Sequence, residues 1–210
     1  GRFDALLLDH ARGRGSRVIE QARVVSVEFE LDGSTRGVRV RSGGDDSERV
    51  MSCRIVVDAS GRNTILGSQL NLKRMDPAFD QFAIHNWFEG VDRGPAETAD
   101  YVHLYTLPTP RAWLWQIPIS SSITSVGIVV RREDFPTGHY DAEQFLARHI
   151  ASHPDLARRM ARSRPLHEFA REGNYSYVMD RFVGDGWLLL GDAARFIDPI
   201  FSSGISVAAE

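Results

Sequence analysis

Several features that mark common protein classes are scarce or absent in this 210-residue sequence. Its single cysteine, Cys53, excludes an internal disulfide framework and a cysteine-rich metal site. No apolar run approaches the roughly 18 residues of a membrane span, and its first residues do not resemble a secretory signal peptide. The net charge is −3, from 25 basic and 28 acidic residues, so no positive excess indicates nucleic acid. These absences predict a soluble cytoplasmic protein without nucleic-acid or membrane partners.

Two sequence signals of catalytic proteins are also absent. The first is the Gly-x-Gly-x-x-Gly fingerprint for dinucleotides. The sequence also contains a single lysine, Lys73, which we assign to the surface. The lack of a Gly-x-Ser-x-Gly elbow argues against a hydrolase. The chain begins inside a predicted helix (residues 3–11) and stops inside another (residues 204–209), so we expect a fragment of a longer protein.

Hydrophobic periodicity divides the chain into two kinds of region. Strand-like runs (residues 17–20, 24–31, 37–41 and 50–58) precede a helix near Asn63, and Asp32-Gly33 predicts a turn. Residues 79–130 have the composition of an antiparallel sheet, helices follow over 141–149 and 154–164, and strands return over 175–179 and 182–190. We predict an α/β (α+β) fold in which a mostly antiparallel β-sheet domain (76–180) is inserted into a first domain (1–75 and 181–210).

Two strand-to-turn segments place a carboxylate where open α/β sheets bind ligands. The apolar run at 187–190 leads into Gly191-Asp192, and Asp192 can accept hydrogen bonds from sugar hydroxyls there. Asp58-Ala59-Ser60-Gly61 follows another strand in the same way, although by itself it is equally typical of a capped strand-to-helix turn.

A third segment is aromatic. Trp113, Trp115 and Ile117 alternate along a strand and therefore share one face of it. Taken alone, this pattern is typical of core aromatics in a sheet.

Together these segments resemble the flavin-dependent halogenases, a family within the FAD-monooxygenase fold. The matches are Gly191-Asp192 to the second flavin-contact motif, Phe196-x-x-Pro199-x-x-Ser202-x-Gly204 to the halogenase signature, and Trp113-x-Trp115-x-Ile117-Pro118 to the Trp-x-Trp-x-Ile-Pro hallmark. The resemblance extends from the helix at Phe3 to Ile205, and it implies that 1–75 and 181–210 form a partial, Rossmann-like FAD-binding domain with 76–180 as the substrate domain.

The resemblance also implies a reaction. Reduced FAD (FADH2), supplied by a flavin reductase, activates O2, and bound chloride or bromide becomes hypohalous acid that halogenates an electron-rich ring. The implied flavin contacts are Val24, Asp58, Gly61, Gly191, Asp192 and Ile205. The halide is expected at Ser203 and Gly204, where a helix N-terminus offers N–H donors. Residues implied to lie near flavin and substrate are Trp113, Trp115, Pro199 and Phe201.

Two departures from the family pattern carry information. The family's catalytic lysine has no counterpart in this chain, so we expect it upstream, with the dinucleotide fingerprint. Enzymes of the family that act on free tryptophan carry glutamate where this chain has Phe201. An apolar residue there favours a phenolic or pyrrolic substrate, free or tethered to an acyl or peptidyl carrier protein, because such rings need less acid–base assistance.

Other interpretations remain. The same fold also serves FAD-dependent monooxygenases or hydroxylases and flavin-linked reductases, and a non-catalytic flavin-fold protein is an alternative of another class. Loss of the fingerprint and lysine upstream would favour the last. His149 and His153 are spaced i, i+4 but lack a third ligand, so we expect no metal. The arginines at 158–164 indicate a solvated helix face, with docking of an acidic carrier protein as the alternative.

Overall fold

The protein consists of helices and short strands, and it is mixed α/β as predicted. The structure, a computed structural model, describes residues 2–43, 47–135, 141–173, 175–201 and 204. The α-helices are α1 (Arg2–Gly13), α2 (Ile65–Gln69), α3 (Ala142–Ala151) and α4 (Pro154–Met160). The strands are β1 (Ala22–Phe29), β2 (Thr35–Ser42), β3 (Glu48–Ser52), β4 (Val56–Asp58), β5 (Lys73–Met75), β6 (Gln81–Glu89), β7 (His103–Thr106), β8 (Trp113–Pro118), β9 (Ile123–Arg131), β10 (Arg164–Pro165), β11 (Ala170–Glu172), β12 (Tyr177–Met179), β13 (Val183–Gly184), β14 (Trp187–Leu189) and β15 (Arg195–Phe196).

These elements form two compact units, and each unit is discontinuous in sequence. Unit 1 comprises Gly1–Leu72 and Met179–Ala194, and unit 2 comprises Lys73–Val178 and Arg195–Glu210. The Gly191-Asp192 segment therefore belongs to unit 1, whereas Trp113-x-Trp115 and the segment from Phe196 onward belong to unit 2.

Unit 1 contains two three-stranded sheets. One is antiparallel in the order β1-β2-β3, and the other has the order β13-β14-β4, with β14 and β4 parallel. The predicted turn between β1 and β2 is confirmed. Gly33 takes a left-handed φ of 87°, and the Asp32 carboxylate accepts a hydrogen bond from the Ser34 N–H at 2.9 Å. Helix α2 packs against β1 and buries Leu66.

Three strand predictions in unit 1 were wrong. Residues 182–190 do not form one strand, because β13 and β14 pair antiparallel around a turn in which Gly186 takes a left-handed φ of 74°. Residues 17–20 join no sheet. Residues 50–58 do not form one strand, because β3 pairs antiparallel with β2 whereas β4 runs parallel to β14. The link between them contains Ile55, which is 62% exposed. The link is only three residues long, so the apolar residues on either side of it resemble one continuous strand in the sequence.

Unit 2 is built on a six-stranded sheet in which β10, β6, β9, β8 and β7 are neighbours in that order, and β11 also pairs with β6. Helices α3 and α4 cover one face, where the core includes Leu114, Ile128, Phe145 and Leu156. The opposite face carries Trp113; we call it the Trp113 face. A second, three-stranded sheet has the order β15-β12-β5.

The helices mostly begin as predicted and differ at their ends. Asp141 caps α3 by accepting a hydrogen bond from the Glu143 N–H at 3.0 Å. Helix α4 ends at Met160, earlier than predicted, because Arg164 already pairs with Glu89 in the sheet. Among the described residues, no helix combines the length and the apolar character needed to cross a membrane.

Candidate functional site

In unit 1, the Asp58 carboxylate organises the turn that follows β4. One oxygen accepts hydrogen bonds from the Ser60 N–H at 3.0 Å and the Ser60 hydroxyl at 2.5 Å. The other accepts from the Thr64 hydroxyl at 3.1 Å and the Leu66 N–H at 2.8 Å. Gly61 follows with a left-handed φ of 72°, a conformation that a side chain would strain. Among the described residues, every hydrogen bond that this carboxylate accepts comes from its own loop.

Burial and hydrogen bonding act on Asp58 in opposite directions. Asp58 is only 5% exposed, and burial disfavours the ionised form of its carboxyl group. The hydrogen bonds from Ser60, Leu66 and Thr64 outweigh that effect, so the pKa of the Asp58 carboxyl lies below its ordinary value. The turn therefore holds a buried carboxylate in its charged form.

The second turn lies beside the first, as the sequence predicted. Strands β4 and β14 run parallel, with Asp58 opposite Leu189, and the Leu190 N–H donates to the Asp58 carbonyl at 3.0 Å. Gly191 then adopts a left-handed φ of 56°, and Asp192 is half-buried in a 3-10 turn that contacts the 3-10 turn beginning at Gly61. Both carboxylates follow the carboxyl ends of neighbouring parallel strands, where this kind of sheet binds ligands.

A groove of about 890 Å³ opens between β1 and the turn and helix that follow Asp58. Its lining includes Val24 from β1 together with Ser60, Asn63 and Gln69. The pairing of β1 with β2 shifts register between Val24 and Ser26, which makes a β-bulge at the groove.

The edge of β1 is already used as a hydrogen-bonding surface. The Gln69 amide accepts from the Val27 N–H at 2.9 Å and donates to the Val27 carbonyl at 2.7 Å, which ties α2 to β1. The groove is thus walled by a strand edge whose backbone groups bind polar partners.

In unit 2, the predicted shared face of β8 is confirmed. Trp113 is 4% exposed and packs with Ala83, Val129 and Tyr175, and the ring of Trp115 lies 5.7 Å from that of Trp113. The indole N–H of Trp113 is buried and has no hydrogen-bond partner in the described part of the chain. A buried, unpaired donor of this kind marks a position at which a polar ligand atom would gain a partner.

The segment after β14 reaches the same cluster. Phe196 and Ile200 pack against the residues around Trp113, and the Phe196 ring meets that of Tyr175 edge-on at 5.6 Å. The Asp198 carboxylate accepts from the Ile200 N–H at 2.9 Å, which shapes the turn after Pro199. The two segments that carry the halogenase signatures therefore meet within unit 2.

The structure describes only some of the remaining residues that were predicted for the site. Pro199 is exposed, and Phe201 closes the short 3-10 turn that begins at Pro199. Gly204 is helical and exposed, whereas Ser203 and Ile205, predicted for halide and flavin, lie outside the described residues.

Sequence reasoning missed Tyr175, Tyr177 and a role for Lys73. Tyr177 is 1% exposed, stacks on Phe196 at 6.5 Å, and carries the Lys73 ammonium 3.8 Å from its ring centre. Lys73 is half-buried, so its predicted surface position is combined with a contact to a buried aromatic ring. The alternation of the two tyrosines would have predicted that both rings lie on the same side of the chain.

The paired histidines of the helical region have separate structural roles. The His149 ring nitrogen Nδ1 lies 2.9 Å from the Phe145 carbonyl oxygen, and the His153 Nδ1 accepts from the Leu156 N–H at 3.4 Å. Across the described ranges, no group of three His, Cys, Asp or Glu side chains is arranged to hold a metal ion.

The nearby arginines are paired with carboxylates. Arg158 and Arg159 both bind Asp155, at 2.5 and 2.8 Å, and Arg164 binds Glu89. The α4 surface therefore carries less uncompensated positive charge than its sequence suggests.

With this geometry in place, the chain can be compared with known proteins. The tryptophan halogenase family model matches residues 1–210, so the chain belongs to this halogenase family, as the sequence motifs predicted. A 1H-pyrrole-2-carbonyl-(peptidyl-carrier protein) chlorinase of Pseudomonas fluorescens is 41% identical over 99% of this chain and 46% of its own length. The corresponding brominase of Pseudoalteromonas luteoviolacea is 32% identical over 98% of this chain and 50% of its own length.

Two solved structures that resemble this chain are also flavin-dependent halogenases. The myxobacterial chondrochloren halogenase, an FAD-dependent halogenase, superposes with a TM-score of 0.83 at 32% identity, covering 99% of this chain and 48% of that one. A flavin-dependent brominase, Bmp2, superposes with a TM-score of 0.85 at 27% identity, covering 99% of this chain and 51% of that one. The chain thus spans about half the length of the relatives that it matches.

Proposed function

We propose that the full-length protein is an FADH2-dependent halogenase that chlorinates or brominates an electron-rich pyrrolic or phenolic ring. The observation that carries this proposal is the meeting of the two signature segments in unit 2. Trp113, Phe196 and Ile200 belong to one packed cluster, although the first is far from the other two in sequence. Such convergence is expected of a site and not of two unrelated sequence matches.

The residues of unit 1 fit the flavin that the family implies. A nucleotide needs hydroxyl acceptors and exposed backbone groups, and unit 1 provides Asp192 at the β14 turn and the bulged edge of β1 at Val24. Asp58 and Gly61 support this site by shaping the loop, because the carboxylate of Asp58 is bonded within its own turn. When bound and reduced, FAD would supply, with O2, the oxidising power that converts halide into hypohalous acid.

The substrate class follows from Phe201 and from the relatives. An apolar side chain neither takes up a proton nor stabilises a cationic ring, so the ring must be intrinsically reactive. Relatives at 41% and 32% identity are named for pyrrole-2-carbonyl groups on a peptidyl carrier protein. A carrier-bound pyrrole is therefore the substrate that we favour, with a flavin reductase as the source of FADH2 and with Ser203 and Gly204 holding the halide.

The test is an assay of the full-length protein with FAD, a flavin reductase, NADH and chloride or bromide. Carrier-bound pyrrole-2-carboxylate, free pyrrole-2-carboxylate, a free phenol and free tryptophan are offered separately, and products are identified by mass. We expect halogenation of the carrier-bound pyrrole. A hydroxylated product would indicate a monooxygenase, and preferred chlorination of tryptophan would contradict the assignment based on Phe201.

A companion variant tests the position of Phe201. Phe201→Glu places an anion beside the predicted halide site and should lower halogenation by repelling the halide. Ile197→Glu, which adds the same charge at an exposed position in the same segment, is the control. Full activity of Phe201→Glu would contradict the expected repulsion of the halide.

A further inference from the structure

Three strands of unit 2 bring His85 and Trp115 together on the Trp113 face. In the register of the sheet, His85 on β6 lies opposite Gly127 on β9, and Gly127 lies opposite Trp115 on β8. Side chains at aligned positions of neighbouring strands point to the same face. His85 and Trp115 therefore flank a residue that has no side chain.

Gly127 is what allows these two rings to meet. A Cβ atom built on it would lie 2.3 Å from the Trp115 ring and 2.6 Å from the His85 Cβ. Without that atom, the indole lies across β9 and its centre is 5.8 Å from the imidazole. The Trp115 N–H donates to the Ser125 hydroxyl at 3.0 Å, which fixes the orientation of the indole.

The His85 imidazole is available for chemistry. It is half-buried, and it takes part in none of the hydrogen bonds of the described residues. Other described histidines of unit 2 differ from it, because His149 and His153 bond to main-chain atoms and His103 lies beside Tyr105 on the helix-covered face. His167 is exposed and lies edge-on to Trp87 at 5.8 Å.

The proposed reaction requires a proton acceptor. Replacing a ring hydrogen by halogen releases that hydrogen as a proton, and Phe201 offers no carboxylate for it. The charged side chains on the same face of the neighbouring strands are Glu172 of β11, at the register position of Ala83, and, at the strand ends, Arg131 and the ion pair of Glu89 with Arg164. None of these is paired in register with His85.

We propose, on the basis of the proposed function, that His85 is a catalytic residue that accepts the proton lost from the substrate ring. The ring carbon forms a bond to the halogen of hypohalous acid, and the halogen–oxygen bond breaks with its electrons moving to oxygen. The C–H electrons return to the ring, and the proton passes to a His85 nitrogen and then to the departing hydroxide. Ring and hypohalous acid thus become halogenated ring and water. Trp115 and Gly127 position the imidazole.

The experiment compares His85→Gln with His167→Gln in the full-length protein. His167→Gln is a matched control, since it removes the imidazole of a second histidine–tryptophan pair, in which Trp87 of β6 meets a histidine from the loop between β10 and β11. Three readouts are taken: halogenation of carrier-bound pyrrole-2-carboxylate, capture of hypohalous acid by a soluble 1,3-diketone, and FAD affinity. The pyrrole is supplied with either hydrogen or deuterium on its ring carbons.

For His85→Gln we expect ring halogenation to fall about 100-fold, the lower end of general-base effects, with unchanged diketone capture and FAD affinity. A primary deuterium isotope effect should appear, because proton removal becomes slow. In His85→Ala, added imidazole should restore part of the rate. His167→Gln should match the wild type.

Three results would overturn the proposal: wild-type ring halogenation by His85→Gln, a parallel loss of ring halogenation and diketone capture, or failure of imidazole to rescue a folded His85→Ala. The first result would show that His85 takes no part in the reaction. Either of the other two would show that His85 only packs against its neighbours. If the wild-type protein halogenates none of the substrates, the proposed function fails, and this inference fails with it. Wild-type activity with unaffected His85 variants refutes the inference alone.

Discussion

Replacing Asp58 by asparagine tests whether one carboxylate holds the turn at the end of β4. The substitution keeps the shape of the side chain and removes its charge. The single oxygen of the asparagine amide can still accept the two hydrogen bonds from Ser60. The amide NH2 then faces the Leu66 N–H, which the carboxylate now binds at 2.8 Å, and the Thr64 hydroxyl at 3.1 Å.

The expected loss in the free energy of unfolding follows from these contacts. A hydrogen bond to a charged acceptor contributes about 1.5–3 kcal/mol, and a buried donor left unpaired costs about 1–3 kcal/mol. Leu66 is fully buried, so its N–H has no access to solvent as a replacement partner. We expect Asp58→Asn to lower the free energy of unfolding by about 3 kcal/mol at neutral pH.

Urea unfolding monitored by tryptophan fluorescence measures the effect, and its pH dependence identifies the cause. Because the folded state lowers the pKa of Asp58, its contribution is fully present above the unfolded value of about 3.9 and is lost as pH falls through the lower folded value. The stability gap between wild type and Asp58→Asn should therefore be largest at neutral pH and shrink in acid.

The control is Asp32→Asn, since Asp32 makes a similar turn with Ser34 but is exposed. It should cost less than about 1 kcal/mol, as surface substitutions usually do. An unchanged urea midpoint for Asp58→Asn, or a gap that is the same at acid and neutral pH, would refute the reasoning.

Three further predictions concern the site. Asp192→Ala should weaken FAD binding by the full-length protein by about 1–3 kcal/mol, the cost of unpaired hydroxyls; equal affinity by titration would deny Asp192 this contact. Gly127→Ala should displace the Trp115 indole, because the new methyl would clash with it; a shifted fluorescence maximum with loss of halogenation is expected, and wild-type values for both would contradict the described packing. The 210-residue chain alone, which lacks the dinucleotide fingerprint, should bind FAD weakly and halogenate nothing when supplied with FAD, reductase and chloride.

The parts of the site that could be predicted from sequence are those set by local chemistry. Asp58 and Gly191-Asp192 were recognisable because a carboxylate and a flexible glycine follow an apolar run, a pattern that specifies a strand-to-turn transition. The alternation of Trp113 and Trp115 fixed a shared face for the same reason. These expectations depend on neighbours within a few residues.

The parts that could not be predicted depend on partners distant in sequence. Residues 50–58 carry apolar side chains on both sides of Arg54, and only the pairing of β3 with β2 and of β4 with β14 shows that they belong to two sheets. The meeting of His85 with Trp115 requires the register of three strands. Periodicity reports which face a residue occupies, whereas register reports which residue lies opposite.

The parallel pairing of β4 with β14 also bears on how the protein folds. The Asp58 carbonyl accepts the Leu190 N–H, so the hydrogen bond that joins these strand ends closes a loop containing almost the whole of unit 2. Loop-closure entropy opposes such a contact until the intervening chain becomes compact. On the ribosome, the sheet of unit 2 would therefore have the opportunity to form before β14 emerges. Folding errors in unit 2 would then delay completion of the β13-β14-β4 sheet, even though none of its strands had changed.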